Sequence, residues 1–390
     1  MAAHWTKSSP FHAPNEPDPA SVVDEAAEDD AADDTLDVIP MYRILSYGAD
    51  LDVLGLVRRL EGGDIEIPEF QRGFVWTHRQ ASRFIESLLI GLPVPGVFFW
   101  KDPANQKLVV VDGQQRLRTL QAYYGGILRD RKFKLADKTS SYQRVHPAFQ
   151  GKDYRSLGDD HRRTLDNTII HATIVQQDDP EDDDSSIYYL FERLNTEGTP
   201  LDPQEIRSAV YRGSLNAVLT ELNDVPTWRG LYGPVSSRMK DRELILRFFA
   251  LSEATFADAP AKELDPRLYA SPMKEFLNRY SRRNRHVSQP DADKMKVRFE
   301  SAVKTIQLAV GRRAFRPDRA FNAAVFDSVM VGIDRRLCRG REVDPSAVSH
   351  AYDGLLASGE YQKAYRRATA NDQQVKERLR LATDAFADLP

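Results

Sequence analysis

The stretch Lys107–Leu120, KLVVVDGQQRLRTL, contains the strand and the helix around which the N-terminal half is organised. Its β-branched apolar run predicts a buried strand, and the apolar spacing after it predicts a helix over Gln114–Tyr124, with Gly125 and Gly126 beyond its end. A strand that runs directly into a helix leaves the first helical amides pointing outward with a partial positive charge. The stretch therefore predicts an anion-binding corner.

The side chains at this corner suit a phosphorylated ligand. Gly113 permits a tight turn and a close approach, Asp112 can cap the helix or hold a cation, and Arg116 can bind phosphate with two donors. Gln114 and Gln115 offer amide donors and acceptors to a sugar or a base. The alternative interpretation is that Asp112 is only a helix cap and Arg116 only an ion-pair partner on the surface.

Short elements flank this corner on both sides. The apolar spacing predicts helices over Ala49–Leu60, after Thr77, in SIYYLFERLN and after Asp202, and Thr77 forms a capping box with Gln80. Strands are predicted in IEIPEF, VPGVFFW, KLVVVDG and TIIHATIV. We interpret residues 41–213 as one domain, with a small mixed sheet and surrounding helices. The stretch from Arg129 to Asp166 reads as charged and rich in loops.

Residues 214–390 show almost only helical periodicity. The predicted helices cover Arg242–Phe256, Asp293–Val310, Asn322–Leu337, Pro345–Ala357 and Gln373–Phe386. The fold class predicted for the whole chain is therefore α+β, with an all-α C-terminal domain.

Composition narrows the classes of protein further. The net charge is -4, but residues 1–37 carry ten acidic side chains and one basic one, so the rest of the chain has a net charge of about +5. We expect residues 1–40 to form a disordered acidic tail. The single cysteine, Cys338, excludes an internal disulfide, and no signal peptide or membrane segment is evident, so we expect a cytoplasmic protein.

Two further segments place polar residues where loops are expected. In PEFQRGFVW, Pro68–Trp76, Gln71 and Arg72 stand among aromatic residues. In FERLNTEGTPLDPQEIR, Phe191–Arg207, Asn195 falls at the end of a helix. Taken separately, the first segment is more typical of aromatic packing, and the second is more typical of a capped corner between two helices.

Together, the three motifs resemble the N-terminal ParB/sulfiredoxin-like domain of GmrSD-type restriction enzymes, which restrict phage DNA with modified bases or backbones. The resemblance covers about Tyr42–Gly213 and implies nucleotide binding and NTP hydrolysis with Mg²⁺. It implies a catalytic role for Asp112 and Arg116, and makes Asp112 the candidate Mg²⁺ ligand. The residues implied in nucleotide binding are Gln71, Arg72, Gly113, Gln114, Gln115, Arg193 and Asn195.

The chain departs from this family in two places. The family's Asn-Thr-Gly-Gly turn reads Asn195-Thr196-Glu197-Gly198 here, so the turn is altered or strained if its first glycine needs positive φ. Family members often continue into an HNH-type nuclease domain, whereas the C-terminal half offers only His286 and His350, in no metal-binding motif. We therefore do not expect nuclease activity in this chain.

The C-terminal half is instead rich in arginine. The cluster RYSRRNRH, Arg279–His286, contains Arg282, Arg283 and Arg285, which could contact a DNA backbone or could belong to an ordinary solvated helical surface. The favoured hypothesis is an NTP-hydrolysing component of a bacterial restriction or anti-phage system, acting on DNA with a separately encoded effector protein. The alternatives are a non-hydrolysing DNA-binding and sensing module, or a ParB-like DNA nickase. The sequence leaves the oligomeric state open.

Overall fold

The computed structural model describes residues 43–68, 74–103, 105–136, 145–179, 185–194, 201–255, 269–340, 343–366, 369 and 371–390. The predicted acidic tail, residues 1–40, lies outside the described residues. The chain divides between Arg212 and Gly213 into two compact units. We call Leu36–Arg212 the sheet unit and Gly213–Pro390 the helical unit, and the α+β fold class is confirmed.

The sheet unit contains a mixed five-stranded sheet, a small hairpin and the first six helices of the described chain. The strands are β1 (Arg43–Asp52), β2 (Ile65–Glu66), β3 (Val97–Lys101), β4 (Leu108–Asp112), β5 (Ile127–Leu128), β6 (Arg131–Lys132) and β7 (Ile169–Asp179). The helices are α1 (Val53–Glu61), α2 (His78–Leu89), α3 (Gln114–Gly125), α4 (Asp159–Asn167), α5 (Ser185–Leu194) and α6 (Pro203–Val210).

The strand order of the sheet is β1-β7-β3-β4-β2. β7 is antiparallel to β1 and parallel to β3, and β4 is antiparallel to β3 and parallel to β2. One face, with Val97, Phe99 and Val110, packs in a core with α1, α2, α3 and α4. α5 packs against β4. Because β4 lies between β3 and β2, it is an interior strand of the sheet. Its last residue, Asp112, lies just before the start of α3.

Two expectations for the sheet unit are wrong. The helix predicted from Ala49 begins at Val53, because Asp52 caps α1 by accepting a hydrogen bond from Gly55 N at 2.7 Å, and the residues before it form β1. The sequence analysis did not predict β1, because it is an edge strand whose side chains are mostly exposed. The stretch from Arg129 to Asp166, which we expected to be rich in loops, also contains most of α4. Leu165 is the buried residue of α4, and one apolar position is too few to show a helical period.

The helical unit contains α7 (Ser214–Asn223), α8 (Pro226–Tyr232), α9 (Lys240–Ala254), α10 (Met273–Arg283), α11 (Gln289–Ala309), α12 (Ala323–Leu337), α13 (Pro345–Ala357), α14 (Gly359–Arg366) and α15 (Asp372–Phe386). α12 is buried on nearly all sides and packs against α9, α11 and α15. α12 therefore lies in the centre of the bundle, and polar side chains such as Asp327 are buried there with its apolar ones.

A buried ionic contact joins three of these helices. Asp327 of α12 accepts two hydrogen bonds from Arg247 of α9, Nε to Oδ1 at 3.1 Å and Nη2 to Oδ2 at 2.7 Å. Arg378 of α15 donates to the same Oδ2 at 3.1 Å. All three side chains are buried, so the carboxylate of Asp327 offsets one of the two positive charges that the arginines bring into the bundle core.

Candidate functional site

The corner between β4 and α3 is built on Gly113. Its φ is +96°, in the left-handed region, and a Cβ at this position would lie 2.6 Å from Val97 Cγ1. Carbon atoms in ordinary contact are about 3.5–4.0 Å apart, so no larger residue fits without a shift of the buried Val97. The glycine predicted for a tight turn is therefore required both by backbone conformation and by packing against β3.

Gly113 is also the residue that caps α3, and it brings no side chain to the first turn. The interpretation of Asp112 as the helix cap is wrong, because Asp112 precedes the capping position and is the last residue of β4. An α-helix leaves its first amides without intrahelical acceptors, and the helix dipole places partial positive charge there. This end of α3 therefore keeps the electrostatic character of an anion site.

Asp112 and Arg116 form an ion pair one helical turn apart. Arg116 Nη2 donates to Asp112 Oδ2 at 2.7 Å, and the side chain of Arg116 is 13 % exposed whereas that of Asp112 is 39 % exposed. Within the described chain, Arg116 Nε is buried and has no hydrogen-bond partner. A Cβ at Gly113 would lie 3.4 Å from this nitrogen. A side chain at position 113 would therefore crowd this buried nitrogen.

The side-chain oxygen of Gln115 faces backbone amides of another segment. Its Oε1 accepts hydrogen bonds from Val75 N at 3.0 Å and from Trp76 N at 3.2 Å. Gln114 is the first residue of α3 and is partly exposed. The structure thus brings Asp112, Gly113, Gln114, Gln115 and Arg116 together on one strand-to-helix turn, but it gives Gln115 a contact that the sequence did not suggest.

The remaining predicted nucleotide-binding residues fall on two other segments. Arg193 is exposed in the last turn of α5, the helix that packs against β4. Gln71, Arg72 and Asn195 lie outside the described residues. For these four residues the role in nucleotide binding stays a prediction.

Arg129 contributes to this region and was not identified from the sequence. It lies after β5, where its Nη2 donates to Phe74 O at 2.6 Å and its guanidinium carbon lies 5.6 Å from the centre of the Phe74 ring. The two residues are 55 positions apart in the chain. No local pattern connects them, so the contact follows only from the fold.

The metal-binding role of Asp112 stays a prediction. Among the described residues, no three His, Cys, Asp or Glu side chains are grouped as a metal site would require. Mg²⁺ is commonly held by one or two carboxylates together with substrate phosphates and water. The partly exposed Asp112 carboxylate fits that donor set as a single protein ligand.

In the helical unit, Arg282, Arg283 and Arg285 form what we call the α10 basic cluster. Arg282 and Arg283 are exposed in the last turn of α10, and Arg285 follows two residues later, partly exposed. Arg283 pairs with Glu253, Nη2 to Oε1 at 2.5 Å, so part of its charge is neutralised within the unit.

Other arginines that crowd helix ends in this unit are used in packing. Arg316 donates to Leu231 O and Tyr232 O, and Arg336 donates to Leu389 O. Arg339 donates to Ala387 O. These side chains fasten loops and chain ends to the bundle.

The mixed sheet and its strand–glycine–helix corner define an α+β domain with a potential anion site at the end of an interior strand. Residues 53–212 match the family model of the GmrSD restriction endonuclease, N-terminal domain. The sheet unit is therefore a GmrSD-type N-terminal domain, and the match places it among components of restriction and defence systems that act on DNA. A search of curated proteins found no match to the chain. Among the described helices, none has the length and apolar character needed to cross a membrane.

Proposed function

We propose that the sheet unit binds and hydrolyses an NTP at the corner between β4 and α3, as part of a restriction or anti-phage system that acts on DNA. The observation that carries the proposal is the buried, unpaired Nε of Arg116 beside the start of α3. Leaving a buried charged donor without an acceptor is costly, and an anion bound at the start of α3 would supply that acceptor.

The ion pair with Asp112 suits this role. It engages Nη2 of Arg116 and so fixes the guanidinium in one orientation, while Nε stays unpaired among the described residues. A phosphate oxygen could accept from Nε without breaking the pair with Asp112. Arg116 would then neutralise negative charge that develops on the phosphoryl group, and α3 would add the partial charge of its first turn.

Asp112 has a second acceptor oxygen and is partly exposed. It fits the role of the carboxylate that orients the attacking water or contributes one ligand to Mg²⁺, which in phosphoryl transfer neutralises charge on the phosphates. Gly113 lets the chain turn directly from β4 into α3, because its left-handed φ suits glycine and Val97 fills the space where a side chain would stand.

The test is phosphate release from ATP, GTP, CTP and UTP with Mg²⁺, with and without DNA. We expect one or more NTPs to be hydrolysed and Arg116→Ala and Asp112→Ala to lose about a hundredfold or more of the rate. The matched control is Arg162→Ala, which removes the ion pair between Arg162 and Asp159 on α4 and should leave hydrolysis unchanged. Melting curves establish that each variant is folded.

Two results would reject the proposal. One is hydrolysis by Arg116→Ala at the wild-type rate. The other is a wild-type protein that neither binds nor hydrolyses any of the four NTPs, which would favour the second candidate function, a DNA-binding module. That alternative rests on the exposure of the α10 basic cluster, because arginine side chains at a helix end can pair with successive phosphates of a nucleic-acid backbone.

A further inference from the structure

The segment Phe74–Trp76 is held by two side chains from other parts of the sheet unit. Gln115 Oε1 accepts from the amides of Val75 and Trp76, at 3.0 and 3.2 Å. Arg129 donates to the carbonyl of Phe74 at 2.6 Å and lies over its ring. Two consecutive peptide groups, Phe74–Val75 and Val75–Trp76, are thus bound by a residue of α3 and by a residue of the turn after β5.

The geometry of Gln115 leaves little freedom to its amide group. One carbonyl oxygen that accepts two consecutive backbone amides fixes both the position and the plane of the side-chain amide. The side-chain oxygen of Gln115 is therefore already hydrogen-bonded to backbone amides of the sheet unit. The side chain of Val75 is exposed, whereas Phe74 and Trp76 on either side of it are partly buried against the core of the sheet unit. The contact therefore orders a segment at the edge of that core.

The position of this segment in the sequence gives the contact its significance. Only Gly73 separates Phe74 from Gln71 and Arg72 in the sequence. Gln115 directly precedes Arg116 at the corner between β4 and α3. On its other side the segment continues into α2, where Thr77 caps the helix and Trp76 packs edge-on against Phe84 at 5.6 Å between ring centres. Gln115 therefore ties two motifs of the site to each other.

We propose that Gln115 is a positioning residue, which anchors the chain that follows Gln71 and Arg72 to the first turn of α3 and does not itself recognise the nucleotide. This inference rests on the proposed nucleotide site. The resemblance implies that both Gln114 and Gln115 bind the nucleotide. Under our proposal the two glutamines of the DGQQR motif have different roles, because Gln115 positions the chain instead. Arg129 is the second positioning residue of the same segment.

The experiment measures the protection of the backbone amides of this segment and the rate of NTP hydrolysis separately. Hydrogen exchange of a peptide that contains Val75 and Trp76 reports the hydrogen bonds to Gln115 without any nucleotide. Steady-state hydrolysis of the preferred NTP gives kcat and KM for the same variants. The variants are Gln115→Leu, which removes the acceptor, and Gln115→Glu, which keeps an oxygen acceptor. Gln114→Leu is the matched control at the neighbouring glutamine, and Arg129→Ala tests the second contact.

We expect Gln115→Leu to speed exchange of the Val75 and Trp76 amides about tenfold or more, and to lower kcat about tenfold. Gln115→Glu should keep the slow exchange and most of kcat, with a raised KM because its added negative charge opposes the phosphates. Gln114→Leu should leave exchange of the two amides as in the wild type. Arg129→Ala should accelerate exchange in the peptide and lower kcat in the same direction as Gln115→Leu.

The outcomes separate this inference from the proposed function. Wild-type exchange in Gln115→Leu, or wild-type kcat despite fast exchange, would overturn the positioning role. Loss of kcat in Gln115→Glu with slow exchange retained would also overturn it and would assign direct recognition to the amide group of Gln115. Absence of hydrolysis in the wild type rejects the proposed function, and with it the positioning role in catalysis, while the exchange data still decide whether Gln115 anchors the segment.

Discussion

Replacing Gly113 with alanine should destabilise the sheet unit by an amount that the structure allows us to estimate. The left-handed φ of +96° is unfavourable for an L-residue by about 1–2 kcal/mol. The new Cβ would also lie 2.6 Å from Val97 Cγ1. Val97 is buried and β-branched, so it has little rotameric freedom to move away, and overpacking of this kind costs about 1–3 kcal/mol. We expect a total loss of about 2–5 kcal/mol.

Gly126 provides the matched control, because it ends the same helix. It also has a left-handed φ, +76°, but a Cβ there would meet no atom within 4 Å. Gly126→Ala should therefore show only the backbone cost, about 1–2 kcal/mol. The difference between the two variants isolates the contact with Val97, which we expect to be about 1–3 kcal/mol.

The assay is thermal unfolding followed by calorimetry, in which the transition of the sheet unit is compared between variants. For a domain of this size, 1 kcal/mol shifts Tm by about 2–4 °C, so Gly113→Ala should lower Tm by about 4–20 °C. A Val97→Ala change should cost less in the Gly113→Ala background than in the wild type, because it removes the clash. Equal Tm values for Gly113→Ala and Gly126→Ala would refute the packing argument.

The remaining predictions concern the helical unit. Alanine at all three arginines of the α10 basic cluster should weaken DNA binding and flatten its salt dependence, measured by fluorescence anisotropy at several salt concentrations, and unchanged binding would exclude this surface. Asp327→Asn should destabilise the unit by about 3–5 kcal/mol in urea unfolding, because it leaves two buried arginines without their carboxylate. Asp353→Asn removes a half-exposed pair with Arg313 and should cost below about 1 kcal/mol. The hydrogen bond from Arg313 lowers the pKa of Asp353, so this small contribution should be present above the unfolded pKa and disappear as the pH falls through the folded one. A loss in Asp353→Asn as large as that in Asp327→Asn would contradict the role assigned to burial.

Local signals account for the elements that the sequence predicted well. The capping box of Thr77 and Gln80 is present at the start of α2, and α3 ends where Gly126 adopts a left-handed conformation. α13 begins at Pro345 and ends at Ala357, as its periodicity predicts. Each of these signals acts within one or two helical turns, so neighbouring residues are enough to read it.

Elements without such a signal were missed for an equally physical reason. β1 is held by its ladder with β7, whose residues lie more than a hundred positions later in the chain. Its exposed side chains show no alternation between buried and solvent-facing positions. Pairing of this kind is decided by the partner strand, which a local pattern does not reveal.

The sequence by itself determined which residues meet at the β4–α3 corner, because Asp112, Gly113 and Arg116 are neighbours on one strand-to-helix turn and their spacing of one helical turn makes the ion pair local. The tertiary structure alone decided what surrounds them. Gln115 reaches amides 39 and 40 positions earlier in the chain, and Val97 of the adjacent strand excludes any side chain at Gly113. A side-chain oxygen binds whichever donor the fold brings near it, so its partner depends on how distant segments pack, whereas the helical repeat is set by the backbone itself.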